Sequence, residues 1–322
     1  MTKRGIFYIC KRAGESVVSL LVLSFVVFSL LYLAPGDPAR VLIGIHRPNP
    51  EVIEAIRSKY HLDEPFFSQY LHWLYGAVKI DFGESIRSGA PVVQTALPYI
   101  NITLQLIAMA MLLSIPSGVF LGVASAKMRG KFIDKAINIA ALTGSSAPSF
   151  ALAFVFLYVF ALGMGLFPVY GIGDGGFADA LYHLILPAIT LSIMISALLI
   201  KISRSCMLIE LKKDYGLFQK ARGVLPWKTA VAELRNASGP ILTSTGLLLA
   251  NTFASIILIE SAFAIPGVGS LIASSVTFKD VPMVQFLTLA VSFFICVTSA
   301  VIDVCIYFAN PQLVAKLEKS MR

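Results

Sequence analysis

Residues 102–126 read Ile102-Thr103-Leu104-Gln105-Leu106-Ile107-Ala108-Met109-Ala110-Met111-Leu112-Leu113-Ser114-Ile115-Pro116-Ser117-Gly118-Val119-Phe120-Leu121-Gly122-Val123-Ala124-Ser125-Ala126. No charge interrupts these 25 residues, and Lys127 follows at once. A helix of about 20 apolar residues crosses the hydrocarbon core of a bilayer, so this stretch is long enough to span. Similar apolar runs occupy residues 17–33, 184–202, 241–263 and 284–308. Residues 136–167 are too many for one crossing and too few for two with a loop. Gly144-Ser145-Ser146-Ala147-Pro148 breaks that region. The break predicts a packed or interfacial half-helix before Pro148 and a crossing after it. The expected fold is an all-α polytopic membrane protein with six transmembrane helices. No small-residue cleavage site follows residue 33, so the first run is expected to remain as a span.

Composition points the same way. Of 322 residues, 57% are hydrophobic and only 14% are charged. Soluble domains carry about 25% charged residues, so a soluble enzyme, a disordered chain and a disulfide scaffold are all disfavoured. The four cysteines, Cys10, Cys206, Cys296 and Cys305, form no CxxC pair. The net charge of +8 mixes two sides of a membrane and says little about acidic partners.

Orientation follows from Lys and Arg, which favour the cytoplasmic loops. The N-terminal tail, residues 127–135, residues 201–235 and the C-terminal tail share one face in a six-span reading. Together they hold nineteen of the 26 basic residues. Both termini are therefore expected in the cytoplasm. Residues 34–100 then form a large extracytoplasmic loop after helix 1, with aromatics at Tyr60, Phe66, Phe67, Tyr70, Trp73 and Tyr75. So long a loop usually carries structure or function of its own. It suits either a folded cap or a docking surface for an external partner. Residues 203–240 form a cytoplasmic loop between helices 4 and 5. Two short amphipathic helices are expected there, at about residues 207–222 and 227–236, parted at Gly223 and Pro226. The chain thus divides into residues 1–100, with the tail, first span and outer loop, and residues 101–322, the transmembrane core.

Several activities lack their motifs. There is no GxxxxGK[ST] phosphate loop, so nucleotide hydrolysis by that route is not expected of this chain. Neither HExxH nor GxSxG occurs. His46, His61, His72 and His183 are scattered, and neither a metal site nor a catalytic residue is expected. Glu260 and Asp303 lie near span ends, whereas a proton-coupled carrier places acids nearer the midplane. The spans are instead rich in small and neutral polar residues, which pack helices closely and suit a polar solute's pathway. Thr243, Ser244, Thr245, Asn251 and Thr252 form the densest group and are the pathway-lining candidates.

In order along nearly the whole chain, the motifs resemble those of one family. Leu33-Ala34-Pro35-Gly36-Asp37-Pro38-Ala39 comes first, then His61-Leu62-Asp63-Glu64-Pro65 with Gln69-Tyr70 and Trp73-Leu74. Asp81-Phe82-Gly83-Glu84-Ser85 and Pro91-Val92 follow, then Ser146-Ala147-Pro148-Ser149-Phe150 and Leu186-Pro187-Ala188. Asp214-Tyr215 through Ala221-Arg222-Gly223, Leu234-Arg235-Asn236-Ala237 and Pro240 occupy the long inner loop. Glu260-Ser261-Ala262-Phe263, Pro266-Gly267-Val268-Gly269, Asp280, Pro282, Gln285, Asp303, Tyr307, Asn310 and Pro311 complete the series. The chain resembles the inner-membrane permease subunits of ATP-binding-cassette importers of the dipeptide, oligopeptide and nickel class.

That resemblance implies a partner set and a mechanism. A second homologous permease would complete the pathway, two ATPase subunits would supply energy, and an extracytoplasmic substrate-binding protein would dock on residues 34–100. ATP would be used by the partner subunit, and no cofactor is expected on this chain. No nucleic-acid partner is expected, and membrane lipid surrounds the spans. The setting implied is a bacterial or archaeal plasma (inner) membrane. The cargo implied is a peptide or a nickel or metallophore chelate. The resemblance also makes residues 214–236 the coupling segment that meets the ATPase, through Asp214, Leu217, Phe218, Gln219, Ala221, Arg222, Gly223 and Arg235. Their chemistry suits that role. Gly223 permits a turn that other residues resist. Leu217, Phe218, Ala221 and Val224 offer apolar knobs, and the bases can form charge-assisted bonds at a rim. Leu217-Phe218-Gln219 is bulkier than the small or polar residues usual before that glycine. The rival classes are an ion-coupled secondary carrier and a membrane-embedded hydrolase. The first would show inverted repeats, which residues 1–160 and 161–322 do not; the second would need a polar catalytic cluster.

Overall fold

In the computed structural model, residues 3–33, 50–59, 61–173 and 175–309 are described. The motif residues 34–39, Tyr60, His46, Asn310, Pro311 and the C-terminal bases lie outside them. The order is α1 (Lys3–Leu33), α2 (Pro50–Lys59), α3 (Phe66–Val78), α4 (Val92–Lys127), α5 (Phe132–Ser146) and α6 (Ser149–Phe156). A π-helical turn (Leu157–Gly163) continues α6. Then come α7 (Phe177–Glu210), α8 (Asp214–Ala221), α9 (Pro226–Ala262), α10 (Val268–Thr277) and α11 (Val281–Ala309). The protein is all-α and polytopic. Among the described residues the one β feature is an isolated bridge between Glu84 and Pro91.

Among the described residues, four helices, α4, α7, α9 and α11, are long and apolar enough to cross a membrane. A fifth crossing arises if α5 and residues 149–163 count as one span, although they bend by 104° at Ala147-Pro148. That bend sits where the sequence places it: a residue before proline is pushed out of the helical region, and Ala147 has ψ 129°. Residues 92–100, expected in the outer loop, are helical as the opening turns of α4, and α2 and α3 give the segment before them helices of its own. The two inner-loop helices are also redrawn. Residues 207–210 finish α7, and residues 227–236 are the start of α9, which runs on without a break past Pro240. Pro226 occupies the first turn, where its missing N–H costs nothing. A proline within a membrane helix is tolerated where neighbouring groups satisfy the freed carbonyl.

The chain divides into two compact units. One holds residues 105–265 with 297 onward. Here α7, the most buried of the four long helices, packs against α5, α6 and α9. Glycines set the closest approach. A Cβ on Gly118 would meet Leu199 Cβ at 2.8 Å, and one on Gly122 would meet Ser203 Cβ at 2.6 Å and the Ile200 carbonyl at 2.8 Å. Spaced by four, these glycines give α4 a bare stripe on which α7 lies, the small-xxx-small logic of membrane helices.

The other unit holds residues 10–104 and 266–296. Its core gathers Val92, Ala96, Val268, Leu271, Met283, Phe286 and Leu287. Phe66, Tyr70 and Trp73 of α3 pack on Phe25 and Phe28 of α1, and the hydroxyls of Ser24 and Tyr70 lie 2.8 Å apart. Phe67, Leu71, Tyr75 and Val78 of α3 are exposed, at the i, i+4, i+8, i+11 spacing of one helical face.

Candidate functional site

The segment that the resemblance makes the ATPase contact starts where α7 stops. Glu210 is buried, and its carboxylate accepts from Lys213 Nζ at 2.5 Å and from Tyr215 Oη at 3.0 Å. Tyr215 also hydrogen-bonds Asn236 of α9. Burial first, with the adjacent Glu210 and Glu233 carboxylates, pushes the Tyr215 phenol above its ordinary value. The start of α8 is therefore tied to both α7 and α9. Asp214 in its first turn complements the helix dipole.

The far end of α8 is closed by a glycine. Gly223 has φ +72°, and Val224 N–H donates to the Gln219 carbonyl at 3.1 Å. That six-residue closure over a left-handed glycine is a Schellman motif. It is the turn the sequence places at Gly223. Large apolar side chains stand exposed here: Leu217 at 68% and Phe218 at 62%, and, past the turn, Leu225 and Trp227. The Arg222 guanidinium lies 5.5 Å from the Phe218 ring centroid. Asp214, Ala221, Arg222 and Arg235 are exposed, and Gln219 is half-buried.

The five pathway candidates do not share one face of α9. Thr243 and Asn251 are exposed and Ser244 is half-buried. Thr245 and Thr252, seven residues apart, are buried and bond back to the carbonyls of Ile241 and Leu248. Nearly two helical turns bring both onto one buried side of α9.

One cluster escaped the sequence reading. Asp134 is buried at the start of α5 and accepts five hydrogen bonds. Arg204 of α7 donates two, from Nε at 2.9 Å and a terminal guanidinium nitrogen at 2.9 Å. Ser125 Oγ of α4, Asn138 Nδ2 of α5 and the Gly130 N–H supply the others, at 2.6, 2.7 and 2.9 Å. Arg204 reads in the sequence as a topology charge; in the structure it fastens three helices together, six residues before Glu210.

In the second unit, Ser85 of the Asp81–Ser85 motif donates to Asp280 Oδ2 at 2.5 Å, and Ile86 N–H donates to Asp280 Oδ1 at 3.1 Å. Two stretches of the family series thus meet. The histidines also differ from expectation. His61 and His72 are not scattered: their rings stack at 4.3 Å, and the Glu64 carboxylate reaches the Nδ1 of each. They are the described residues best placed to hold a metal.

Fold and site define a polytopic α-helical membrane protein with a rigidly held inter-helix loop that presents apolar side chains. Residues 118–314 match the family described as binding-protein-dependent transport system inner membrane component, and residues 6–112 match that family's N-terminal segment. The chain is 31% identical to the probable peptide ABC transporter permease protein y4tP of Sinorhizobium fredii, over 95% of this chain and 98% of that one. It is 32% identical, with the same coverage, to the glutathione transport system permease protein GsiC of Escherichia coli strain K12. The chain belongs to the binding-protein-dependent transport system inner membrane component family. It is a transmembrane permease subunit of an ATP-binding-cassette importer, a transport component and not an enzyme. Its family works with an ATPase and a binding protein.

Proposed function

We propose that this chain forms half of a translocation pathway for small peptides, with residues 214–235 as the contact through which a separate ATPase drives it. The outward apolar face of the loop carries this reading. Leu217, Phe218, Leu225 and Trp227 are large side chains exposed on a short segment, while Glu210 and Tyr215 hold that segment firmly to α7. Exposed aromatics on a rigid base are good interface anchors. Six spans with both termini cytoplasmic would put this loop on the ATPase side, and a second permease would supply the other half of the path. Residues 1–100 would serve the outer face and residues 101–322 the core. Thr243, Ser244 and Asn251 are the remaining candidates for the lining. ATP would be bound by the two partner ATPases. The curated relatives named for peptide and glutathione transport favour a peptide cargo over a nickel chelate.

The test is uptake into vesicles carrying the assembled importer, supplied with its binding protein. Peptide uptake should require both ATP and the ATPase subunit. Uptake sustained by an ion gradient with the ATPase omitted would replace this reading with a secondary carrier.

A further inference from the structure

We propose that His61, Glu64 and His72 form a binding site for one divalent transition-metal ion of the zinc or nickel type, in the segment between α1 and α4. The inference does not depend on the transport reading. His61 Nδ1 lies 3.0 Å from Glu64 Oε1, and His72 Nδ1 lies 3.1 Å from Glu64 Oε2. One donor atom from each of the three residues falls within 4.8 Å of the others. With metal–ligand bonds of about 2.1 Å, neighbouring donors stand roughly 3.0–3.4 Å apart. Each histidine nitrogen already has that spacing from one oxygen of Glu64, His61 from Oε1 and His72 from Oε2. Only the spread of the whole set must contract, by small rotations of exposed side chains.

The donors select the metal. Two imidazole nitrogens and one carboxylate suit zinc, nickel or copper, whereas magnesium and calcium take oxygen ligands. Three protein ligands leave coordination positions open, unlike a sealed four-ligand structural site. Both histidines are exposed and line a cavity of about 570 Å³ with Trp73, Tyr75, Asp81 and Gln285, so an ion can enter from solvent.

The backbone around the donors is already in place. His61 sits at φ +53°, a left-handed turn uncommon for non-glycine residues, among which histidine is one of the more frequent. That turn carries it back over α3, where His72 lies eleven residues on. Gln69 Nε2 donates to the carbonyls of Leu62 at 3.1 Å and Glu64 at 2.7 Å, pinning the turn to the helix. Ser68 Oγ donates to Glu64 Oε2 at 2.6 Å and helps to orient the carboxylate, as outer-shell partners of metal ligands do.

The experiment uses the full-length chain in nanodiscs, with affinity tag removed and metal stripped by chelator. Zinc chloride and nickel chloride are titrated separately by calorimetry. One ion per chain is expected. Glu64→Gln and His72→Ala should each weaken binding by about tenfold or more, and the His61→Ala/His72→Ala pair should abolish it. His72→Cys, which keeps a zinc ligand, should retain zinc and so separates ligation from folding. Saturating zinc should raise the thermal midpoint of the natural chain but not that of the double variant. No heat above buffer, or equal binding by the double variant, would overturn the site.

Discussion

Arg204 grips both carboxylate oxygens of Asp134, each at 2.9 Å, and so joins α7 to α5. Ser125 of α4 shares the same carboxylate at 2.6 Å. Asp134 is buried while Arg204 keeps some solvent contact, so removing the arginine leaves a buried charge without its cation. Breaking such a pair by losing one partner costs roughly 3 kcal/mol. Asp134→Ala and Arg204→Ala should each lower the thermal midpoint in detergent, and the double variant should cost less than their sum. Arg204→Lys should also destabilise, since an ammonium cannot reproduce the two-pronged contact. Strict additivity in the double-mutant cycle would show that the two residues act independently.

A different kind of fit holds α4 to α7. At Gly122 an added Cβ would stand 2.6 Å from Ser203 Cβ and 2.8 Å from a backbone carbonyl, neither of which is the free end of a flexible side chain. Gly122→Ala should therefore destabilise by about 1–3 kcal/mol through overpacking, and Gly122→Val by more. Gly130→Ala meets no neighbour within 4 Å, but its φ of +80° disfavours any side chain, so a smaller loss of about 1 kcal/mol is expected. Thermal unfolding followed by tryptophan fluorescence would rank the three. A Gly122→Ala variant as stable as the natural chain would mean that α4 and α7 can part freely.

What the sequence could reveal depended on distance along the chain. The long apolar runs and the break at Pro148 are local signals, and the structure places helices and a bend accordingly. Gly223 was legible because a lone glycine parted two amphipathic stretches. The break at Pro226 was legible too, since a proline suits a helix start; the continuity of α9 beyond it was not, because the inner segment was drawn to end at Pro240, which lies within the helix. Polarity marked Thr243 to Thr252 as a group, but it could not say that Thr245 and Thr252 turn inward. The Asp134–Arg204 pair spans 70 residues, and no local pattern announces it. His61 and His72 meet because of a left-handed turn at a non-glycine residue, which no propensity foretells.

Asp280 stands at the entrance of α11, where its Oδ1 accepts from Met283 N–H at 3.4 Å and from Ile86 N–H at 3.1 Å. It therefore caps a helix and clasps the 81–91 turn at once, with Ser85 on its other oxygen. Loss of a cap alone costs about 1 kcal/mol. Asp280→Ala should cost more, about 2–3 kcal/mol, because the buried Ser85 hydroxyl loses its acceptor as well. Asp280→Asn should fall between, keeping the shape but not the charge. Hydrogen exchange should show faster exchange of the Ile86 amide in both variants. Protection there equal to the natural chain would mean that the turn is held by other contacts.

The exposed pair Leu217 and Phe218 offers the clearest separation of folding from coupling. Neither is buried in this chain, so replacing both with serine removes little internal packing and should change stability by less than about 0.5 kcal/mol. If they anchor the ATPase, the same change removes two central apolar contacts, and truncating such anchors typically costs 2 kcal/mol or more each. Co-purification of the ATPase should then fall at least tenfold, and transport with it, while membrane insertion stays intact. Gly223→Val should act by another route, straining the Schellman closure at φ +72° and displacing the face rather than erasing it. The two lesions should differ under excess ATPase: Gly223→Val should recover part of its complex, and the double serine variant should not. ATPase recovery at the natural level with Leu217→Ser/Phe218→Ser would place the energy-delivering contact elsewhere on the chain.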